Sequence, residues 1–386
     1  MRVALVSPYD LGVPGGVQSH VRHLASALLA AGDEVVVLGP GERGVTRGVT
    51  AQGDGPAAAA EVTVASTHGV PFNGAVAPIA LSPTAGLRIA RTLRRLAPDV
   101  VHVHEPLVPT VGPAAVLGAR APVVVTLHAW SDNDRAYRLV RPLGRRVLAR
   151  AGGALAVSPA AARYHARALG VGEAALTVVP NGVDVARFAA ARQQVAAAPA
   201  GGPPSVVFVG RLEPRKGVLV LAHAYRQLLG SYPDARLTVI GDGPQRAELA
   251  GLLADVPAGQ VELAGRVEGG RLAACLAAAD VAVAPALGGE SFGIVLLEAM
   301  AAGTAVVASS IPGYAGVLTD GVDGILVPPG DHEALAQGVA ALLGDPDRRT
   351  RLVAAGTQTA ARHDWPVVAR TLREHYLAVR GHGAGA

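Results

Sequence analysis

The chain has 386 residues, 50% of them apolar, 3% aromatic and 17% charged, with 48 glycines and 28 prolines. This is material for two globular domains with cores of small aliphatic side chains, and it excludes a disordered or collagen-like chain. The net charge of +4, from 34 basic and 30 acidic residues, is too small for a nucleic-acid binder, and the single cysteine, Cys275, can form neither an internal disulfide nor a cysteine metal cluster.

In chain order, residues 3–7 form an apolar strand that meets Pro8, too short for a signal-peptide core, and no uncharged run reaches the length of a membrane span. A cytoplasmic protein is expected, with any membrane contact peripheral. Pro14-Gly15-Gly16 leads into a helix over 16–31, then come a strand over 34–38, a glycine-rich loop, a helix over 83–96 and strands over 100–104, 123–127 and 154–157. After the Ala/Pro/Gly stretch 196–204 the pattern begins again, with strands over 206–209, 237–240, 261–264, 281–284 and 305–308 between helical segments. Such alternation implies an α/β protein with a parallel, doubly wound sheet in each half. Ligands then belong beyond the carboxyl ends of the strands, so the site is expected in a cleft between the halves.

Each half opens on a strand, a glycine and a helix. Around Gly15-Gly16 this brings backbone N–H groups and a positive helix end toward an anion. In the second half, Gly210-Arg211-Leu212-Glu213-Pro214-Arg215-Lys216-Gly217 places glycines on either side of three cations. Lys216 is the only lysine among the 34 basic residues, which points to a need for an ammonium at that position.

Two motifs compete for a different chemistry. Gly39-Pro40-Gly41-Glu42-Arg43-Gly44 fits the dinucleotide pattern, but the residues after it do not read as the helix that would hold a pyrophosphate. Gly289-Glu290-Ser291-Phe292-Gly293 fits the nucleophile elbow of a serine hydrolase, with Asp320 or Asp323 and His332 or His363 downstream. That reading leaves the whole first half unexplained. Read differently, the same segment sets Glu290 and Glu298 across the start of one helix, roughly 80° apart in projection. A carboxylate in the apolar run 294–300 needs ligand hydroxyls or a partner arginine.

The segment from Gly289 to Gly303 resembles the E-x7-E signature of retaining GT-B glycosyltransferases of the family-4 group. Gly15-Gly16-Val17-Gln18, His102-Val103-His104-Glu105-Pro106, Pro180-Asn181-Gly182-Val183-Asp184 and the Gly210–Gly217 run fall in that family's order, so the likeness covers nearly the whole chain. Through Val13-Pro14-Gly15-Gly16-Val17-Gln18-Ser19-His20 and Pro71-Phe72-Asn73-Gly74 it is most similar to the actinobacterial phosphatidylinositol mannosyltransferases.

The resemblance implies two Rossmann-like domains: residues 1–175, with the C-terminal helix 363–386 crossing back onto them, for the acceptor, and 176–362 for the nucleotide sugar. It implies transfer of a sugar, mannose from GDP-mannose, to a hydroxyl of phosphatidylinositol or a related polyol or glycolipid, with no cofactor and no metal. Arg211 and Lys216 would neutralise the leaving diphosphate, an electrostatic role that often dominates catalysis. Glu290 would contact the transferred sugar, Phe292, Gly293 and Ile294 would offer amides, Glu298 would hold the ribose, and Val267 and Glu268 would line the base. Gly16 would face the diphosphate. Tyr9, Gln18 and Asn73 would bind the acceptor, with His128 near sugar and acceptor.

His102 and His104 alternate along a strand, with no third ligand at suitable spacing except Glu105, and read as structural or site-lining. Asp132-Asn133-Asp134 has the form of a metal-binding D-x-D, which the resemblance does not support. The stretch Ala129-Trp130-Ser131-Asp132-Asn133-Asp134-Arg135 departs from the hydroxyl-rich segment and lysine of the mannosyltransferases and adds acidity near the acceptor, which leaves another donor or a soluble acceptor open. Finally, Arg88, Arg91, Arg94 and Arg95 lie on a short amphipathic helix with Ile89, Leu93 and Leu96 on its other side. The helix is either solvated or a contact for an anionic membrane.

Overall fold

A computed structural model describes every residue except 42–46, 50–58, 73–74, 131–134, 197–200, 268 and 384–386. The chain forms two compact units, Met1–Gly182 together with Trp365–Ala386, and Val183–Asp364. The first division falls later than residue 175 because Thr177–Val178 is still an edge strand of the first sheet, paired with Gly153–Ala156. Two separate parallel sheets, each covered by helices, make this the GT-B architecture; an α/β-hydrolase would need one continuous sheet.

The sheet of the first unit runs Thr177–Val178, Gly153–Ala156, Val123–Leu127, Val100–His104, Arg2–Val6, Glu34–Gly39, Ala59–Thr63 and Arg47–Val49 from edge to edge. Its strands are parallel except Arg47–Val49, which pairs antiparallel with Ala59–Thr63. The valine-rich strands alternate between two faces. Val3, Leu5, Val35, Val37 and Val124 meet Leu24 and Leu28 of helix Gly16–Ala30 and Leu372 and Tyr376 of helix Trp365–Gly383. Ala4, Val6, Val101, Val103 and Val125 meet Ile89 and Leu93 of helix Pro83–Leu96. Fully covered faces explain why the strands read as unbroken apolar runs. The buried Asp33 carboxylate ties down the last helix, accepting from the Met1 amino group at 2.9 Å and lying 2.8 Å from Arg373 Nε.

The second sheet is wholly parallel, in the order Val261–Gly265, Arg236–Ile240, Ser205–Val209, Val281–Ala284, Ala305–Ser309, Ile325–Val327. Each sheet reverses its strand order once, between Arg2–Val6 and Val100–His104 in the first and between Ser205–Val209 and Val281–Ala284 in the second. Loops diverge at such a switch point and leave a crevice at the carboxyl ends. Gly16 follows strand Arg2–Val6, Arg211 and Lys216 follow Ser205–Val209, and Glu290 follows Val281–Ala284, so these residues lie on or near those loops. Residues 42–44 of the dinucleotide pattern lie outside the described residues, and the next described element is strand Arg47–Val49.

Candidate functional site

In the second unit the chain leaves Val209 at the switch point, turns at Gly210 and enters the short 3-10 helix Pro214–Lys216. Arg211 Nη2 lies 2.7 Å from Glu213 Oε1, and Arg215 Nε lies 3.0 Å from Glu213 Oε2. Arg215 Nη1 also meets Glu290 Oε1, and Lys216 Nζ reaches that same oxygen at 2.8 Å. Three cations and two carboxylates therefore interleave, with positive charge in excess. Glu213 is 4% exposed, while the Arg211 side chain is 55% exposed, so the buried carboxylate aims a guanidinium that is open to a ligand.

The backbone holds the two loops together. Leu287 N–H donates to the Arg215 carbonyl at 2.8 Å. Gly217, at φ 68°, brings its Cα so close to Pro285 that a Cβ would stand 1.9 Å from the Pro285 carbonyl oxygen. Helix Ile294–Ala302 starts after Gly293, at φ 106°, a glycine with no side chain to cap its first N–H groups. A bare helix start beside excess cations suits a multiply charged oxyanion such as a diphosphate.

Glu290 consequently lies in the loop before this helix, so the helical projection that relates it to Glu298 in the sequence does not apply. Glu298 sits one turn into the helix, densely surrounded by protein, and burial pushes its pKa up to about 7 while the charge of Arg187 pulls it down. Arg187 acts on Glu298 through its charge, and its guanidinium lies 4.0 Å from Asp184. Phe292 is buried against the His363 ring, centroids 5.9 Å apart. Val267 is buried just past strand Val261–Gly265, two strands from Gly210 on the same edge of the sheet, and Glu268 lies outside the described residues.

The Asp and His candidates named with Ser291 are engaged by other groups among the described residues. Asp323 accepts from Thr319 N at 2.7 Å and from Thr359 Oγ1 at 2.7 Å, His363 Nδ1 donates to the Thr359 carbonyl at 2.8 Å, and the His332 ring lies 5.6 Å from that of His223.

In the first unit, helix Gly16–Ala30 begins at an extended Gly15 with no side-chain cap among the described residues and no acidic residue in its first turn. Space at Gly16 is open, whereas a Cβ on Gly15 would stand 2.4 Å from Gln18 Oε1. Gln18 is buried and folds back over Gly15, its Nε2 donating to the Asp10 carbonyl at 3.2 Å. Tyr9 bridges to Ile79, and burial with the nearby Glu105 charge raises its hydroxyl pKa. Asn73 and residues 132–134 lie outside the described residues.

His128 follows strand Val123–Leu127 and joins a buried group of imidazoles. Its Nε2 lies 3.0 Å from His104 Nδ1, and its ring centroid is 4.8 Å from that of His20. His20 Nδ1 pairs with Asn181 Oδ1 at 2.8 Å; His102 bridges Tyr376 Oη and Thr126 Oγ1, each at 2.7 Å. Burial drives the pKa of His20 down to about 4, that of His102 to about 3, and those of His104 and His128 well below the usual histidine range. These rings are neutral at pH 7. Glu105, in a left-handed conformation at φ 46°, accepts from the backbone N–H of His128 at 2.6 Å and of Ala129 at 2.5 Å. Holding a non-glycine residue there costs about 1 kcal/mol or more, and the strain aims a carboxylate at the turn that carries His128.

Sequence reasoning missed Glu213, Arg215, Glu105 and His20 as members of these groups. Arg215 and Glu213 lie inside the singled-out loop and Glu105 directly follows His104, but their pairing is a fact of folding. The basic helix also differs from expectation. Arg88 is half-buried and donates to the Val64 carbonyl at 3.1 Å, leaving Arg91, Arg94 and Arg95 exposed, with Leu87 55% exposed beside them. No helix among the described residues is long and apolar enough to cross a membrane.

A family model described as glycosyl transferases group 1 matches residues 191–359, and one described as glycosyltransferase family 4 matches residues 14–187. The phosphatidyl-myo-inositol mannosyltransferase of Mycolicibacterium smegmatis is 38% identical, over 99% of this chain and 95% of its own. The protein of the same name from Propionibacterium freudenreichii is 34% identical over 95% of this chain and 92% of its own. Among solved structures, sucrose-phosphate synthase from Thermosynechococcus elongatus superposes with a TM-score of 0.77 at 25% identity, covering 99% of each chain.

Proposed function

This chain belongs to the glycosyltransferases of group 1 and family 4, and on that premise we propose that it moves mannose from GDP-mannose to a hydroxyl of a phosphoinositide or related glycolipid, with retention at the anomeric carbon. The observation that carries the donor side is the network of Arg211, Arg215 and Lys216 with Glu213 and Glu290 beside the bare start of helix Ile294–Ala302. As the bond to the sugar breaks, negative charge grows on the leaving diphosphate, and preorganised cations stabilise that charge more than the ground state. The protein's own cations and amides fill this role, so the reaction requires no metal ion.

Glu290, already held by Lys216 and Arg215, accepts hydrogen bonds from sugar hydroxyls; the amides of Phe292, Gly293 and Ile294 complete the cradle. Glu298 accepts from the ribose hydroxyls and gives up its proton as it does so. Val267 and Glu268 line the base. In the first unit, the start of the helix at Gly16 faces the diphosphate, and Tyr9, Gln18 and Asn73 take the acceptor. His128, kept neutral by burial, offers a hydrogen bond to sugar or acceptor and does not act as a cation. The serine-hydrolase reading is discarded, since the family, the two sheets and the engaged Asp323 and His363 all oppose it.

The test is a transfer assay with labelled GDP-mannose and vesicles containing phosphatidylinositol, in chelator, with the anomeric configuration of the product read by NMR. A lipid-linked α-mannoside is expected. A product of inverted configuration, or transfer that proceeds with UDP-glucose to a soluble sugar and not with GDP-mannose, would overturn the assignment in favour of another reaction of the same family.

A further inference from the structure

His20, His104 and His128 come from three separate elements: helix Gly16–Ala30, strand Val100–His104 and the turn after strand Val123–Leu127. One ring nitrogen from each lies within 4.8 Å of the other two. Their exposures are 4%, 0% and 8%, so all three rings are buried. His20 Nε2 is buried without a hydrogen-bond partner among the described residues, an arrangement that folded proteins avoid unless something else satisfies the atom. The Asn181 amide oxygen accepts from His20 Nδ1–H, which leaves the lone pair on Nε2. This is the outer support that metal-binding histidines ordinarily have.

We propose that His20, His104 and His128 form a three-imidazole site for a borderline transition-metal dication of the zinc class. Tetrahedral zinc with bonds of about 2.0–2.1 Å needs ligand nitrogens about 3.3 Å apart. His104 Nδ1 and His128 Nε2 are 3.0 Å apart, and the third nitrogen, within 4.8 Å of both, has to move in for the three to reach that spacing. The fourth position is left for water or an anion. Oxygen-seeking Mg²⁺ does not suit an all-imidazole set, so the site discriminates against the commonest cellular dication. Occupation ties up the ring that the proposed reaction uses at its acceptor end, so the metal acts as an inhibitor; this consequence rests on the reading of His128 given above, whereas the binding itself does not.

The experiment titrates the chelator-treated full chain with Co²⁺ and then displaces it with Zn²⁺, while transfer is measured in parallel. The expected result is one Co²⁺ per chain with the strong visible absorption of a four-coordinate site, lost on adding Zn²⁺, and an affinity at least about 100-fold weaker in His104→Gln. His332→Ala, which removes half of the His223–His332 pair of the second unit, is expected to bind as the parent does. Equal affinity in His104→Gln and the parent, or loss of binding in His332→Ala, would overturn the proposal. X-ray absorption of the zinc-loaded parent needs no variant and must show three imidazole nitrogens; fewer would also overturn it. Zinc that binds in this manner yet leaves transfer unchanged would sustain the site and refute the assignment of His128 to the reaction.

Discussion

In the second unit, Glu213 and Glu290 lie against Arg211, Arg215 and Lys216, and each charge has an opposite within 3.0 Å, with Arg211 open to solvent. In the first unit, His20, His102, His104 and His128 are packed together, almost without exposure, and burial strips them of charge. The charged group follows the carboxyl ends of its parallel sheet and the imidazole group straddles those of its own, yet the local environment gives them opposite chemistries. A paired, half-solvated network keeps its ions and can take up a diphosphate. A buried imidazole group can only donate or accept hydrogen bonds, or hold a borderline cation.

If the contrast is right, the largest effect comes from the ammonium. Lys216→Ala is expected to lower kcat about 10²- to 10³-fold, the range found when one preorganised charge-stabilising donor is removed, and to leave the fold intact because Arg215 still holds Glu290. Ser291→Ala in the same assay should keep most of the activity. Next in size is Glu213→Ala, which leaves Arg211 and Arg215 without their shared counterion. A loss of about tenfold in kcat/KM is expected, with partial recovery in Glu213→Gln, which keeps one acceptor oxygen. Unchanged kinetics in Glu213→Ala would show that the arginines need no positioning carboxylate.

Glu298 sharpens the comparison from the other side, because it is the one acidic group of the second unit's helix Ile294–Ala302 and it behaves like the first unit's buried polar groups. Its folded pKa of about 7 lies above the ordinary value of 4.5, so between those two values the native state binds more protons than the unfolded chain. Stability contributed by the protonated form is present below pH 4.5 and falls as pH rises toward 7. Glu298→Gln should therefore melt at a higher temperature than the parent at pH 8, by on the order of 2 kcal/mol, with the gap closing as the pH falls toward 4.5. A pH-independent difference in melting between the two proteins would contradict this.

The smallest effect is expected on the surface helix. Changing Arg91, Arg94 and Arg95 together to Ser should abolish low-salt binding to vesicles of anionic lipid without altering GDP binding, at about 1 kcal/mol per residue. Adding Arg88→Ser should change little further, since that guanidinium serves the Val64 carbonyl.

The fold was legible because valine runs, glycine turns and amphipathic stretches all act locally, and each parallel strand needs two covered faces. The charged loop was legible for the same reason, since Arg211 and Lys216 are close in sequence. Glu213 was not, because nothing in the string Arg211-Leu212-Glu213 says that its side chain turns inward to bridge two guanidinium groups. The imidazole group was hidden by distance. His102 and His104 share a strand, but His20 reaches them only because its helix packs on that sheet and Asn181 fixes its ring. Glu290 lies in the loop and not on the helix of Glu298, since the left-handed Gly293 starts the helix after it.

The donor network is the centre of this account, and calorimetric titration of the parent and Lys216→Ala with GDP, UDP and ADP tests it most directly. The expected result is one GDP per chain bound by the parent more tightly than UDP or ADP, with that binding lost or weakened at least tenfold in Lys216→Ala. GDP binding that is unchanged by the substitution would contradict the account, and a preference for UDP would remove the mannose donor while leaving the fold and family in place.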